Sequence, residues 1–161
     1  LAPSSPDPHA FRHVTAALHR LGDACREDGD LAAAIGAYRD AVRDAKRAAA
    51  ASDAPEAMWD LSVGLNRLGS TQLEADQAQA AIASFEQSVE LRRGIVELAG
   101  RNPESLSGLA SSLAKLSAAL LHDGDAAGSN AALEEAAALD QEAAIDDDHQ
   151  TLTMAPPPIL S

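Results

Sequence analysis

Apolar residues return at helical spacing through the middle of the chain: Leu61, Leu65, Leu68 and Leu73, a polar break over Glu74 to Gln77, then Ile82, Phe85, Val89 and Leu91. Intervals of three and four place each set on one face of a helix, so the stretch reads as two amphipathic helices joined by a short turn. A connection this short makes the two helices antiparallel neighbours. The same pattern occurs three times. HRLGDACREDGDLAAAIGAYRDAV (His19 to Val42) aligns with NRLGSTQLEADQAQAAIASFEQSV (Asn66 to Val89) at an offset of 47, and AKLSAALLHDGDAAGSNAALEEAA (Ala114 to Ala137) follows at an offset of 48. A fixed period of this size marks stacked helical units, of which about three are needed for a stable shared core.

The breaks at Glu27 to Asp30, Glu74 to Gln77 and His122 to Asp125 combine a helix stop with an Asx or Gly cap for the next helix. Together with Pro55 and the Gly100 to Pro103 stop-and-start, they predict helices over about residues 9–28, 30–51, 55–75, 77–99, 103–122 and 125–145. Asp53 is a candidate cap for the third. Asp146 to Asp148 are expected to end the sixth, because carboxylates at a helix C-terminus oppose the dipole.

Leu65, Leu68, Gly69, Ala81 and Phe85 in the second copy, and Leu18, Leu21, Gly22, Ala34 and Tyr38 in the first, follow the pattern W-x2-L-G-x2-Y, then A-x3-F. On these residues the chain resembles the tetratricopeptide repeat family over roughly residues 11–145. The third copy departs, with Ser117 for the Gly, Ser129 for the Ala and Leu133 for the aromatic, as in a terminal unit under weaker packing constraints. The period exceeds the common one of about 34 residues, so the likeness is to a long-helix variety. It implies an all-α fold, a right-handed α-solenoid of three helix-turn-helix repeats and six helices. The expected organisation is a disordered N-terminal segment over 1–8, a repeat domain over 9–146, and an acidic, Pro-rich tail over 147–161.

Aromatics make up 2% of the 161 residues, so the core must come from many close Ala, Leu, Val and Ile contacts. Net charge is −13. Residues 1–50 carry seven basic and seven acidic side chains, and 51–161 five and eighteen. That balance argues against nucleic acid and anionic membranes, which need a basic footprint. A solvated acidic surface is the preferred reading, with a basic partner for the C-terminal third as the alternative. No apolar run is long enough to span a membrane. The start LAPSSPDP lacks the basic flank and apolar stretch of a signal peptide, and a cytoplasmic location is expected. Cys25, the lone cysteine, is expected to be buried and inert. Trp59, the lone tryptophan, is expected against the second helix of the first unit, or exposed as a binding anchor.

The sequence holds no phosphate loop, zinc cysteine pair or nucleophile elbow. His9 and His13 have metal-ligand spacing without a third ligand. The two AspGlyAsp turns lack the terminal Glu of a calcium loop. No metal, cofactor or enzyme activity is expected. Arg20, Arg67 and Lys115 share one repeat position and are read as structural partners of an acid on a neighbouring helix, against a ligand-contacting basic stripe.

The family resemblance implies that the first helix of each unit lines a concave face. There stand His19, Asp23, Arg26 and Glu27, then Asn66, Ser70, Leu73 and Glu74, then Ala114, Ala118, Leu121 and His122. The Lys and Asn set that clamps a terminal carboxylate in some relatives is missing. The expected function is a non-catalytic scaffold or adaptor that docks a peptide or protein. Its candidate contacts are His19, Asp23, Arg26, Asn66, Ser70, Leu73, Lys115, Leu121 and His122. Leu73 and Leu121 would supply affinity, and Asn66, Arg26 and His122 orientation. Two rivals stand beside it. One is a permanently bound accessory subunit or domain, or a self-associating chain, joined through helix 125–145 and tail 153–161. The other is an enzyme or metal protein using His19 with Asp23 or His9 with His13.

Overall fold

The computed structural model describes residues 8–52 and 54–154. Six helices follow in order: α1 (Pro8–Glu27), α2 (Leu31–Ala50), α3 (Pro55–Glu74), α4 (Ala78–Ala99), α5 (Pro103–His122) and α6 (Ala126–Met154). There is no strand among the described residues. The chain is an all-α helical-repeat solenoid in which α1/α2, α3/α4 and α5/α6 form hairpins, α2 packs on α3, and α4 packs on α5.

All three hairpin turns are built alike. Gly29, Asp76 and Gly124 take left-handed φ values of 81°, 62° and 92°. The residue after each donates its backbone N–H to a carbonyl five positions back: Asp30 to Cys25 at 2.9 Å, Gln77 to Gln72 at 2.8 Å and Asp125 to Leu120 at 2.9 Å. That bond satisfies carbonyls the ending helix would otherwise leave open. Asp30 and Asp125 then cap the next helix, accepting from the Ala33 and Gly128 amides at 3.0 and 2.9 Å. The second acid of each AspGlyAsp turn is thereby used as a cap. At α5, Asn102 and Ser105 form a reciprocal capping box behind Pro103. The cap expected from Asp53 lies outside the described residues.

Close approach of paired helices depends on glycine at two places. The Tyr38 ring lies so near Gly22, and the Phe85 ring so near Gly69, that a Cβ would fall 2.6 and 2.7 Å from ring carbons. In the third unit Ser117 and Ser129 replace the small pair and are both buried, and their hydroxyls hydrogen-bond at 2.7 Å. Looser packing was expected there. A satisfied polar pair does the job instead, leaving no orphaned hydroxyl.

Three apolar clusters hold the stack together. Ala34, Ile35, Tyr38, Val42 and Ala45 of α2 meet Leu61, Leu65 and Leu68 of α3. Val89 and Val96 of α4 join Leu106, Leu109 and Leu113 of α5 and Ala132, Ala136, Leu139 and Ala143 of α6. Between them Phe85 packs with Ala81 and Ala119. Each large cluster crosses a unit boundary, so burial of the hairpins' apolar faces requires the stack.

Three expectations are corrected. Helix α6 does not stop at Asp146 but continues to Met154, so the first residues assigned to the tail are helical. No Gly or Pro lies between Asp146 and Met154, and the carboxylates stand inside the helix rather than at its C-terminus. The rest of the tail and residues 1–7 lie outside the described residues. Cys25 is half-buried against the α2/α3 cluster rather than fully enclosed. Trp59 stacks under Arg92 of α4, with the guanidinium carbon 3.5 Å from its ring, where packing against α2 was expected.

Candidate partner-binding face

The first helices of the three units stand side by side. Arg67 of α3 reaches Asp23 of α1 at 2.6 Å, Arg26 of α1 pairs with Glu74 of α3, and Asn66 of α3 donates to Ser112 of α5 at 3.1 Å. The second helices are linked in the same way on the other side, by Lys46 to Gln87 at 2.9 Å and Arg93 to Glu135 at 2.7 Å. The nine candidate residues fall on the α1, α3 and α5 side, and much of their chemistry is consumed in holding units together.

Asp23 is the hub of the first joint. Its carboxylate accepts from the Tyr38 hydroxyl at 2.5 Å and from Arg67 at 2.6 and 2.8 Å. Burial pushes this carboxyl up, but the bonds from Tyr38 and Arg67 outweigh it and hold it below the usual range. Burial and the same bond push the Tyr38 phenol up to about 12. His19 does not pair with Asp23. Its ring lies beside Gly64, where an added Cβ would fall 3.4 Å from a ring carbon, and 6.0 Å from the Tyr38 ring, and its Nδ1 is buried without a partner. Burial, with help from Arg67, lowers its pKa and favours neutral imidazole. Asn66, at the matching place in α3, likewise keeps its Oδ1 buried and unpartnered.

Farther along, Leu73 is partly buried against Phe85, Ala81 and Ala119, serving the joint between units rather than standing free. His122 meets Asp76 at 3.1 Å. Leu121 is open to solvent. Ser70 and Lys115 are half-buried, and among the described residues neither has a recorded polar partner. Of the three basic groups at the shared repeat position, Arg67 pairs with an acid on the neighbouring helix as expected, whereas Arg20 and Lys115 have no ion pair among the described residues.

Sequence reasoning missed a polar seam beneath this face. Ser88 of α4 donates to the Ser62 carbonyl at 3.2 Å and shares a bond of 3.1 Å with Ser112, which also receives Asn66. Arg92 is buried beside it, with Nε and Nη1 lacking partners and its charge disfavoured by burial. Serines at Ser62, Ser88 and Ser112 within otherwise apolar helix faces were the available signal.

Residues 64–94 match the tetratricopeptide repeat. The match covers the second half of α3 and α4 up to Gly94, and it includes Gly69 and Phe85, which pack closely together. No curated protein matches the chain. A tetratricopeptide-type repeat points to binding of protein partners, and no helix among the described residues is long and apolar enough to cross a membrane.

Proposed function

We propose that the chain is a non-catalytic interaction module that receives a peptide or protein segment across the concave side of α1, α3 and α5, as a long-helix tetratricopeptide protein with a period of 47 to 48 residues. One observation carries the reading. Lys115 occupies the repeat position of Arg67, but where Arg67 has Asp23, the matching α3 residue is the neutral Ser70. Among the described residues the ammonium has no ion pair, while Leu121, also on α5, is open. A cation and an aliphatic group on one rigid helix suit an extended segment that presents a carboxylate and an apolar side chain. His19, Asp23, Arg26, Asn66, Leu73 and His122 then shape and brace the groove. The net charge of −13 favours a protein over a nucleic acid, and the lone thiol of Cys25 fits a cytoplasmic setting.

The test is selection of binding peptides from a displayed random library, followed by affinity measurements on variants. Lys115→Ala and Leu121→Asp are expected to weaken the selected peptides at least tenfold. Glu90→Ala, exposed on α4, should leave them unchanged. Peptides that ignore both α5 variants would overturn the proposal.

A second reading, a permanently bound accessory subunit joined through α6, is favoured by the exposed Leu133 and Ile145 on that helix. Loss of co-purification with a native complex on Ile145→Asp, with groove variants still bound, would select it.

A further inference from the structure

The chain contains one kind of junction twice. Lys46 to Gln87 joins the first unit to the second, and Arg93 to Glu135 joins the second to the third. Arg93 lies 47 residues after Lys46 and Glu135 lies 48 after Gln87, the offsets of the repeat itself. Identical positions therefore meet at both joints.

Each end of the stack displays half of that junction. Val14 and Leu21 on α1 are 49% and 54% exposed, although their counterparts Leu61, Leu68 and Leu109 are buried under the preceding unit. At the other end Leu133 is 48% exposed, although its counterparts Tyr38 and Phe85 are both fully buried. These three are among six large apolar residues exposed in the described chain. Exposed apolar surface is thus concentrated on two faces that are complementary by construction.

We infer that a second copy of this chain stacks head to tail on the first, continuing the internal junction. Leu133 of one copy then covers Ala24 of the next, as Phe85 covers Ala119, and Gln141 meets Asp40, as Lys46 meets Gln87. Charge selects this pairing over a symmetric one. Residues 8–51 carry seven basic and six acidic side chains, whereas residues 102–147 carry one and nine, so head meets tail with less repulsion than tail meets tail. Such a contact does not close on itself, and repeated stacking lengthens the solenoid.

The experiment blocks one end at a time. Leu21→Asp disables the head and Leu133→Asp the tail. Masses are followed by sedimentation equilibrium over a concentration series, with circular dichroism confirming the helix content. The wild-type mass is expected to climb above 16.6 kDa with no plateau at two copies. Each blocked variant should stay at 16.6 kDa alone, and an equal mixture of the two should give a one-to-one dimer, because one intact head still meets one intact tail. Should either variant lose helix, Ala24→Arg and Ala137→Arg, both at exposed sites, replace them. A wild type that remains monomeric up to about 1 mM, the weak end of specific association, overturns the inference and leaves the faces to a different protein. A head-blocked variant that still dimerises overturns it in favour of tail-to-tail pairing.

Discussion

Arg67 on α3 grips both carboxylate oxygens of Asp23 on α1, while the buried Tyr38 donates its hydroxyl to the same carboxylate. The first two units are therefore pinned by a charge that must stay ionised. Asp23 titrates low in the folded chain, so its stabilising contribution is present above the ordinary carboxylate range and lost as pH falls through its folded value. His19 also titrates low and adds to the acid loss, since protonation favours the unfolded chain below about pH 6.5. Tyr38 titrates high, so its contribution is complete below about pH 10 and fades as pH rises towards about 12. Asp23→Ala is expected to cost roughly 1 to 2 kcal/mol and to flatten the acid limb of a urea-denaturation pH profile. An unchanged limb would show that the pin contributes nothing.

Asp76 is a side-chain-bearing residue in a left-handed position that Gly29 and Gly124 fill in the other two turns. Asp76→Gly relieves that strain and gives up only an exposed pair with His122. A gain of about 0.5 kcal/mol, near 1–2 °C in Tm, is expected from calorimetry. A lower Tm would mean that the pair with His122 outweighs the strain.

Two glycines should respond oppositely to the same change. Gly69→Ala drives a methyl into the Phe85 ring and is expected to cost about 1–3 kcal/mol. Gly36, on the exposed side of α2, has nothing within 4 Å of an added Cβ, and Gly36→Ala should stabilise by about 0.5–1 kcal/mol. Paired urea titrations measure both. Equal effects would refute the close Gly69 to Phe85 contact.

Arg92 is buried with two unpartnered N–H groups, and its compensation is the face of Trp59. Replacing a poorly paired buried charge by an apolar side chain of similar length removes the cost of desolvation. Arg92→Met is expected to raise stability by roughly 1 kcal/mol, whereas Arg92→Ala should lower it by opening a cavity. If Arg92→Met destabilises by as much as Arg92→Ala, the stack on Trp59 is worth more than the buried charge costs.

The helices and hairpin turns were legible because they are written locally, in three-and-four spacing and in Gly or Asp at the turns. The contacts of Gly22 with Tyr38 and Gly69 with Phe85 were legible because repetition states them twice. What escaped was pairwise and spatial. Nothing along the chain links Trp59 to Arg92 or Ser88 to Ser112, and each meeting depends on how two helices cross. The end of α6 escapes because three aspartates read as a stop, while the stronger rule, absence of Gly or Pro before Pro156, carries the helix on to Met154. The candidate face was legible as a set of positions. Which members are free and which are spent in joints was not, since Asp23 and Arg26 read the same in sequence whether paired or open.

The seam of Ser62, Asn66, Ser88 and Ser112 sets the pitch of the molecule. Apolar surfaces tolerate sliding because their attraction has no direction, but these hydroxyl and amide groups meet in only one alignment. Shifting α5 by one turn along α3 and α4 would strand several buried polar atoms, at about 1–3 kcal/mol each. The spacing between the second and third units therefore has a single value, and whatever lies across α3 and α5 is measured against a fixed gauge.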